Sequence, residues 1–308
     1  MTKNLKIGLC VPTLNAGDEW SSWLDVFLMQ NIKADISIII DSESDDETAS
    51  LAKAAGLTVQ KIERSSFNHG ATRQFGISLM PDVDVVIFLT QDAILATNDS
   101  LANLVSVFED SRIGAAYGRQ LPRKTASFIE AHSRVFNYSD KSRINSFENS
   151  NKLGIKAAFI SNSFAAYRCN ALGEVGGFPL NTILGEDTFV AAKMLLCGWC
   201  VAYCSDAVVY HSHDYSYLEE FRRYFDIGVF HSRECWLREQ FGQAEGEGMR
   251  YIQSEFRYLM KRSPMLIPSA FLRTILKFVG YRLGLNEHKI PYKIKGLLSM
   301  HKGYWNIK

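Results

Sequence analysis

At 308 residues, 47% hydrophobic and 22% charged, the chain can bury a full core, and it holds no run of roughly 20 uncharged apolar residues that would span a bilayer. No secretory leader opens it, because Lys3 and Lys6 lead straight into a short strand pattern, so the cytoplasm is the expected compartment. The net charge of +1 conceals an asymmetry: residues 249–308 carry 12 Lys/Arg against 2 Asp/Glu, a balance of +10, which leaves −9 on the preceding 248.

In chain order, apolar runs at residues 7–11, 36–40, 57–62, 85–89 and 113–117 read as strands. The stretches 20–29, 48–55, 71–80 and 101–108 between them carry helical spacing. Such alternation predicts an α/β fold with a mostly parallel central sheet flanked by helices. Residues 124–155 are polar and weakly periodic and read as a mobile loop beside the site. Residues 157–167 then suggest strands, 186–196 a helix and 200–210 a strand, and from 217 onward the pattern is helical and basic. The predicted division is a domain over 1–216, with a nucleotide-binding half of about 1–120 and an acceptor half of about 121–216, and a C-terminal extension over 217–308.

Within that extension Phe271, Leu272, Ile275, Leu276, Phe278 and Val279 share one half of a helix, with Arg273 and Lys277 opposite. The pattern fits a helix packed on the body with its cations in water, and equally a helix that touches an anionic membrane. The six cysteines are scattered, and Cys197-Gly-Trp-Cys200 lacks a second pair, so they read as core thiols and not as a metal centre.

Chemistry is expected at the strand ends. The run Val85-Val86-Ile87-Phe88-Leu89 stops at Thr90-Gln91-Asp92, and in open α/β sheets the carboxyl ends of the strands face the ligand crevice. A carboxylate there can hold a divalent cation, which in turn holds a diphosphate, or it can simply cap the next helix. The first strand closes in Pro12-Thr13-Leu14-Asn15 and the second at Asp41, where an acid can accept the imide N–H of uracil or thymine. No Gly-x-Gly-x-x-Gly follows the first strand and no Gly-x-x-x-x-Gly-Lys-Ser/Thr loop occurs, which argues against dinucleotide enzymes and NTPases.

Five motifs occur in register: Val11-Pro12-Thr13-x-Asn15, Asp41-Ser42-x-Ser44-x-Asp46-x-Thr48, Phe67-Asn68-His69-Gly70-x-x-Arg73-Gln74, Leu89-Thr90-Gln91-Asp92 and Gly185-Glu186-Asp187. Together they resemble glycosyltransferase family 2, the inverting enzymes of GT-A fold. The third motif, with His211-Ser212-His213-Asp214-Tyr215-Ser216, more narrowly resembles the bacterial rhamnosyltransferases of O-antigen synthesis. The resemblance implies dTDP-L-rhamnose as donor, with another UDP- or GDP-sugar as the alternative, and Mg²⁺ or Mn²⁺ as cofactor. It also implies a saccharide acceptor on polyprenyl diphosphate and a peripheral place at the inner membrane face; a homo-oligomer is left open.

By the same resemblance Pro12, Thr13, Asn15, Asp41, Arg73, Gln91 and Asp92 contact the nucleotide-sugar, Asp41 reading the base and Arg73 standing on the nucleotide side. Asp187 is the catalytic base and Glu186 a secondary residue that orients the acceptor. Asp92 and His211 hold the metal, with His213 competing for the second place. Thr90 stands where the family usually has a first acid, which puts metal affinity in question. Acceptor contacts are open among Tyr117, Arg119, the 124–155 segment, Arg222 and Arg223. A nucleotidyltransferase lacks its glycine-rich loop here, and a non-enzymatic nucleic-acid-binding protein lacks any recognised module.

Overall fold

The computed structural model describes residues 5–242 and 246–306. Strands β1 (Ile7–Thr13), β2 (Ile36–Asp41), β3 (Thr58–Lys61) and β4 (Val85–Leu89) form a parallel block in the order β3-β2-β1-β4. The apolar runs of β1, β2 and β4 are continuous because both faces are covered, whereas β3 at the sheet edge is mostly exposed. Leu9, Val11, Ile39, Val85 and Ile87 pack with Trp20, Trp23 and Phe27 of α1 (Trp20–Leu28). The alternate residues Cys10, Ile38, Ile40, Val86 and Phe88 belong to the opposite core, with Val190, Ala191 and Met194.

The helices α2 (Thr48–Ala54), α3 (His69–Ser78) and α4 (Ser100–Ser106) connect these strands. The sheet continues through β5 (Ile94–Leu95), β6 (Ile113–Leu121), β7 (Arg143–Asn145), β8 (Phe164–Arg168) and β9 (Cys200–Tyr210). Its order is β3-β2-β1-β4-β8-β6-β9-β5, with β7 on β9. β8 enters between β4 and β6 antiparallel to both, so the parallel pattern read from the sequence describes the first block, while the second half is mixed.

Two predicted segments differ. Residues 124–155 form α5 (Phe128–Asn137), β7 and α6 (Ser150–Leu153), not a loop. Ser127 caps α5 by accepting from Glu130 N at 3.3 Å, and Ile129 packs with Leu259 and Ala270 of the C-terminal helices. The segment is polar because one side of α5 faces a cleft, while Ile129, His132 and Phe136 stand at helical spacing on the packed side. Of residues 157–167, only those from Phe164 onward are strand; Ala157, Ala158 and Ile160 are apolar because they are buried in a 3₁₀ turn and its exit. The core-thiol reading holds for Cys10, Cys200 and Cys204 and fails for the exposed Cys197 and Cys235; all six are free.

After α7 (Cys169–Glu174) and α8 (Glu186–Leu196) the C-terminal part comprises α9 (Tyr217–Arg233), α10 (Trp236–Phe241), α11 (Glu247–Arg262), α12 (Ile267–Leu285) and α13 (Tyr292–Leu298). Phe225, Val229, Phe230 and Trp305 share the larger core with the sheet. Glycines fix α12 on α9: a methyl at Gly280 would overlap the Phe221 carbonyl, and one at Gly284 the Phe225 carbonyl.

The consequence for α12 reverses the expectation that its cations face water. Arg273 Nη1 and Lys277 Nζ each lie 3.0 Å from the buried carboxylate of Glu220, so the charged side is turned inward. The apolar half is left outside, with Phe271 66% and Phe278 64% exposed beside Leu272, Ile275, Val279 and Leu283. No helix among the described residues is long and apolar enough to cross a membrane.

Candidate active site

A cleft of about 690 Å³ opens where β4, β6 and β9 end, and its walls include Arg73, Asp92, Glu186, Asp187, His211 and His213. The parallel pairing of β6 with β9 brings Gln120 beside His211, whose N–H donates to Leu121 O at 2.9 Å. Asp92 Oδ2 lies 3.3 Å from His211 Nε2 and 3.4 Å from His213 Nε2, so the two histidines do not compete: both reach the acid.

The hydrogen-bond network assigns the His211 tautomer. Gln120 Nε2 donates to Ser161 Oγ at 3.0 Å, which leaves Gln120 Oε1 to accept from Arg134 Nη1 at 2.7 Å and from His211 Nδ1 at 2.9 Å. With a proton on Nδ1 held by Gln120, the Nε2 atom of His211 faces Asp92, an arrangement suited to a cation between them. Burial works against ionisation of Asp92, but the neighbouring imidazoles of His211 and His213 outweigh it and hold the carboxyl well below its usual range. Burial, with the neighbouring His211, pushes His213 down to about 4 against the pull of Asp92, which keeps its imidazole neutral near pH 7. One carboxylate oxygen and two imidazole nitrogens within 4.8 Å of one another form a donor set that fits a divalent cation. Thr90 lies half-buried in the same wall, with its hydroxyl beside the Asp92 carboxylate.

The acid pair comes from the start of α8. Gly185 precedes it at φ +76°, where an L side chain is strained and would also press on Phe230. Glu186 is buried, with Arg73 Nη1 at 3.0 Å and Asn162 Nδ2 at 2.9 Å. Burial opposes its charge, yet Arg73, His69 and Asn162 prevail and lower its pKa. Asp187 accepts from Thr188 N at 2.7 Å and Asn162 N at 3.3 Å. Burial and the negative charge of Glu186 push it up to about 7. Two adjacent carboxylates are thus split into one that ionises more readily than usual and a base poised near neutrality.

The Phe67 to Gln74 motif braces that pair. Asn68 caps α3 by accepting from Gly70 N and Ala71 N, both at 3.0 Å, and donates to Thr182 O at 3.2 Å. Gly70 lies against the Pro179 carbonyl with no room for a Cβ, and Gln74 accepts from Phe178 N at 2.9 Å. Arg73, expected on the nucleotide side, has its guanidinium on Glu186 and on His69 O at 2.9 Å.

Pro12, Thr13, Asn15, Asp41 and Gln91 gather at the ends of β1, β2 and β4 and do not line this cleft. Asp41 is fully buried and accepts from Ser44 Oγ at 2.6 Å, Ser44 N at 3.0 Å and Thr13 Oγ1 at 3.2 Å. Asn15, at φ +47°, accepts from Asp45 N at 2.8 Å. Gln91 exchanges two hydrogen bonds with the Leu14 backbone, at 2.8 and 3.0 Å, and so ties the β4 exit to the β1 exit.

Asn162, which contacts both acids, carries no recognisable signal in the sequence. Glu130 and Arg134 of α5 do carry one, the i,i+4 opposite-charge spacing that closes here at 2.8 Å.

Three comparisons bear on this arrangement. The chain is 50% identical over 303 residues, 98% of its own length and 96% of the relative's, to the O-antigen chain rhamnosyltransferase RfbN of Salmonella typhimurium. It is 44% identical to the O-antigen chain rhamnosyltransferase WbaN of Salmonella anatum, covering 97% and 95% of the two chains. Among solved structures it shares the fold of the mannosyltransferase PcManGT from Pyrobaculum calidifontis, solved with GDP-Man and Mn²⁺, at TM-score 0.56 and 20% identity over 99% of this chain and 86% of that one. TarS of S. aureus (residues 1–349), solved with UDP-GlcNAc, aligns at TM-score 0.53 and 14% identity over 92% of each chain. Residues 9–176 match the model of glycosyl transferase family 2, and with two near full-length relatives of that activity the chain belongs to this family.

Proposed function

We propose that the protein is an inverting rhamnosyltransferase that moves L-rhamnose from dTDP-L-rhamnose to a saccharide acceptor of O-antigen synthesis carried on polyprenyl diphosphate. The observation that carries the reading is the cleft itself, in which a carboxylate with a pKa near 7 and an Asp-His-His donor set stand in one space. The identity to O-antigen chain rhamnosyltransferases selects the sugar.

In this mechanism the acceptor hydroxyl gives its proton to Asp187 as its oxygen attacks the anomeric carbon. The bond from that carbon to the phosphate oxygen breaks on the opposite face, which inverts the centre. Glu186, held charged by Arg73, keeps Asp187 basic. Asp92, His211 and His213 would hold the divalent cation, which neutralises the departing diphosphate. Mixed carboxylate and imidazole donors favour Mn²⁺ over Mg²⁺, since Mg²⁺ prefers an all-oxygen shell. Pro12, Thr13, Asn15 and Asp41 are assigned to the nucleotide and Gln91 to fixing the loop that bears them, while Arg73 serves as a positioning residue for Glu186.

The outward apolar stripe of α12 supports residence at the inner membrane face: its aromatic side chains enter the acyl boundary, and exposed Arg250, Arg257, Lys261 and Arg262 of α11 meet anionic headgroups.

The test is thermal stabilisation by a panel of nucleotide-sugars with and without Mn²⁺, followed by a transfer assay. A donor that binds only the folded state raises the melting temperature. Metal-dependent stabilisation by dTDP-L-rhamnose is the expected result. Stabilisation by UDP- or GDP-sugars alone would reassign the donor, and stabilisation by none would refute the reading.

A further inference from the structure

The cleft is lined by four cations, Arg73, Arg134, Arg223 and Lys277. Three are already committed: Arg73 to Glu186 at 3.0 Å, Arg134 to Glu130 at 2.8 Å, and Lys277 to Glu220 at 3.0 Å. Arg223 has no ion pair among the described residues. Its carbon Cζ lies 5.6 Å from the ring centroid of Tyr215. Tyr215 stacks on His213 at 5.2 Å and an interplanar angle of 27°, and His213 Nε2 is 3.4 Å from Asp92. A column of packed rings therefore runs from Asp92 to a guanidinium that has no ion-pair partner among the described residues.

The position is built by local structure. Ser216, immediately after Tyr215, forms a capping box with Glu219, which fixes the start of α9. From that start Glu220, Arg223, Tyr224, Ile227 and His231 fall on the cleft side of the helix. Arg223 lines the cleft with its side chain exposed, and every carboxylate on the cleft wall except Asp92 and Asp187 already has a cationic partner. Asp92 belongs to the cation site and Asp187 to the proton. The guanidinium is therefore open to an anion brought by a ligand. Guanidinium matches the geometry of phosphate oxygens with two parallel N–H donors, and it does so most strongly where charge builds up.

We propose that Arg223 binds a diphosphate in this cleft, that of the departing nucleotide, so that the leaving group is held between the Asp92 cluster and the start of α9. The assignment rests on the glycosyl-transfer reading. It predicts that dTDP binding and the rate of transfer both depend on Arg223, whichever acceptor is used. A diphosphate-linked acceptor would offer the same chemistry, and the experiment separates the two sources.

The experiment measures dTDP affinity by calorimetry with Mn²⁺ on the full chain and on Arg223→Gln and Arg223→Lys, and transfer to a diphosphate-linked and a diphosphate-free acceptor. Loss of one charge-assisted contact should weaken dTDP binding roughly 10-fold or more in Arg223→Gln and less in Arg223→Lys, with both acceptors slowed alike. Unligated melting temperatures should match the wild type, which separates a binding role from a structural one. Unchanged dTDP affinity with KM raised only for the diphosphate-linked acceptor would overturn the donor assignment and give the site to the acceptor. No change in any of these would refute a diphosphate site. Absence of dTDP, UDP and GDP binding by the wild type would instead refute the glycosyl-transfer reading.

Discussion

Replacing Asp187 by Asn should remove activity and add stability. Folding raises the Asp187 pKa from the ordinary 3.8 to about 7. Each unit is worth roughly 1.4 kcal/mol, so the charged form costs the fold about 4 kcal/mol at most once the pH exceeds 7, and on the order of 2 kcal/mol after relaxation. The sign follows from which form the fold prefers. The native state binds the proton more tightly than the unfolded chain, so this group's contribution is present below about pH 4 and is lost as pH rises toward 7. Asn cannot ionise, and its carbonyl still accepts one of the two N–H groups from Thr188 and Asn162. Asp187→Asn should therefore melt a few degrees above the wild type at pH 8 and level with or below it at pH 4. Its turnover should fall on the order of 10² to 10⁴-fold. Wild-type kcat should lose about tenfold per pH unit below about 7, because Asp92 and His213 titrate well below this window. Asp226, pushed up to about 6 by burial, does fall inside it. It accepts from Met300 N and His301 N, and Asp226→Asn, which keeps an acceptor for them, should leave the limb in place. Calorimetric melts at the two pH values and a pH–rate profile suffice. Normal turnover in Asp187→Asn, or destabilisation at both pH values, would refute the reasoning.

Asp92→Ala should weaken dTDP binding chiefly when Mn²⁺ is present; transfer indifferent to EDTA would remove the cation from the scheme. Gly284→Ala sets a methyl against the Phe225 carbonyl, so urea unfolding should show a loss of roughly 1–3 kcal/mol despite the better helix propensity of Ala, and a stabilised variant would contradict the helix contact. Phe271→Ser with Phe278→Ser should cut co-sedimentation with anionic vesicles at least about 10-fold, since burying each ring contributes about 1.5–3 kcal/mol. Wild-type protein that ignores vesicles and elutes as a dimer would make the stripe an oligomer contact.

The strands β1, β2 and β4 were legible because each is largely buried and reads as an apolar run, while β3, Thr-Val-Gln-Lys at the sheet edge, is mostly exposed. Asp92, His211 and the Glu186-Asp187 pair stood out through the family resemblance, at a strand exit or a helix start, and all four line one cleft. The partners were not legible. That Arg73 serves Glu186 depends on Gly70 letting α3 close on the Pro179 carbonyl, a contact between distant segments. The orientation of α12 was illegible for the same reason: periodicity separates its two faces but cannot say which is inside, and Glu220 on another helix decides it. The α5 wall was overlooked because its segment is mostly polar, although Ile129, His132 and Phe136 stand at helical spacing and pack toward the C-terminal helices.

The glycine seam between α9 and α12 couples two surfaces. Where Gly228, Gly280 and Gly284 let backbone lie on backbone, there are no long side chains to re-pack, so the helices cannot slide and must travel together. α12 carries Phe271 and Phe278 on the outside and α9 carries Arg223 on the inside. With the outer face seated in a bilayer, the seam fixes the height of the cleft above the lipid. The enzyme would then act as a gauge, selecting which hydroxyl of a lipid-tethered saccharide reaches Asp187 by its distance from the membrane as well as by its shape.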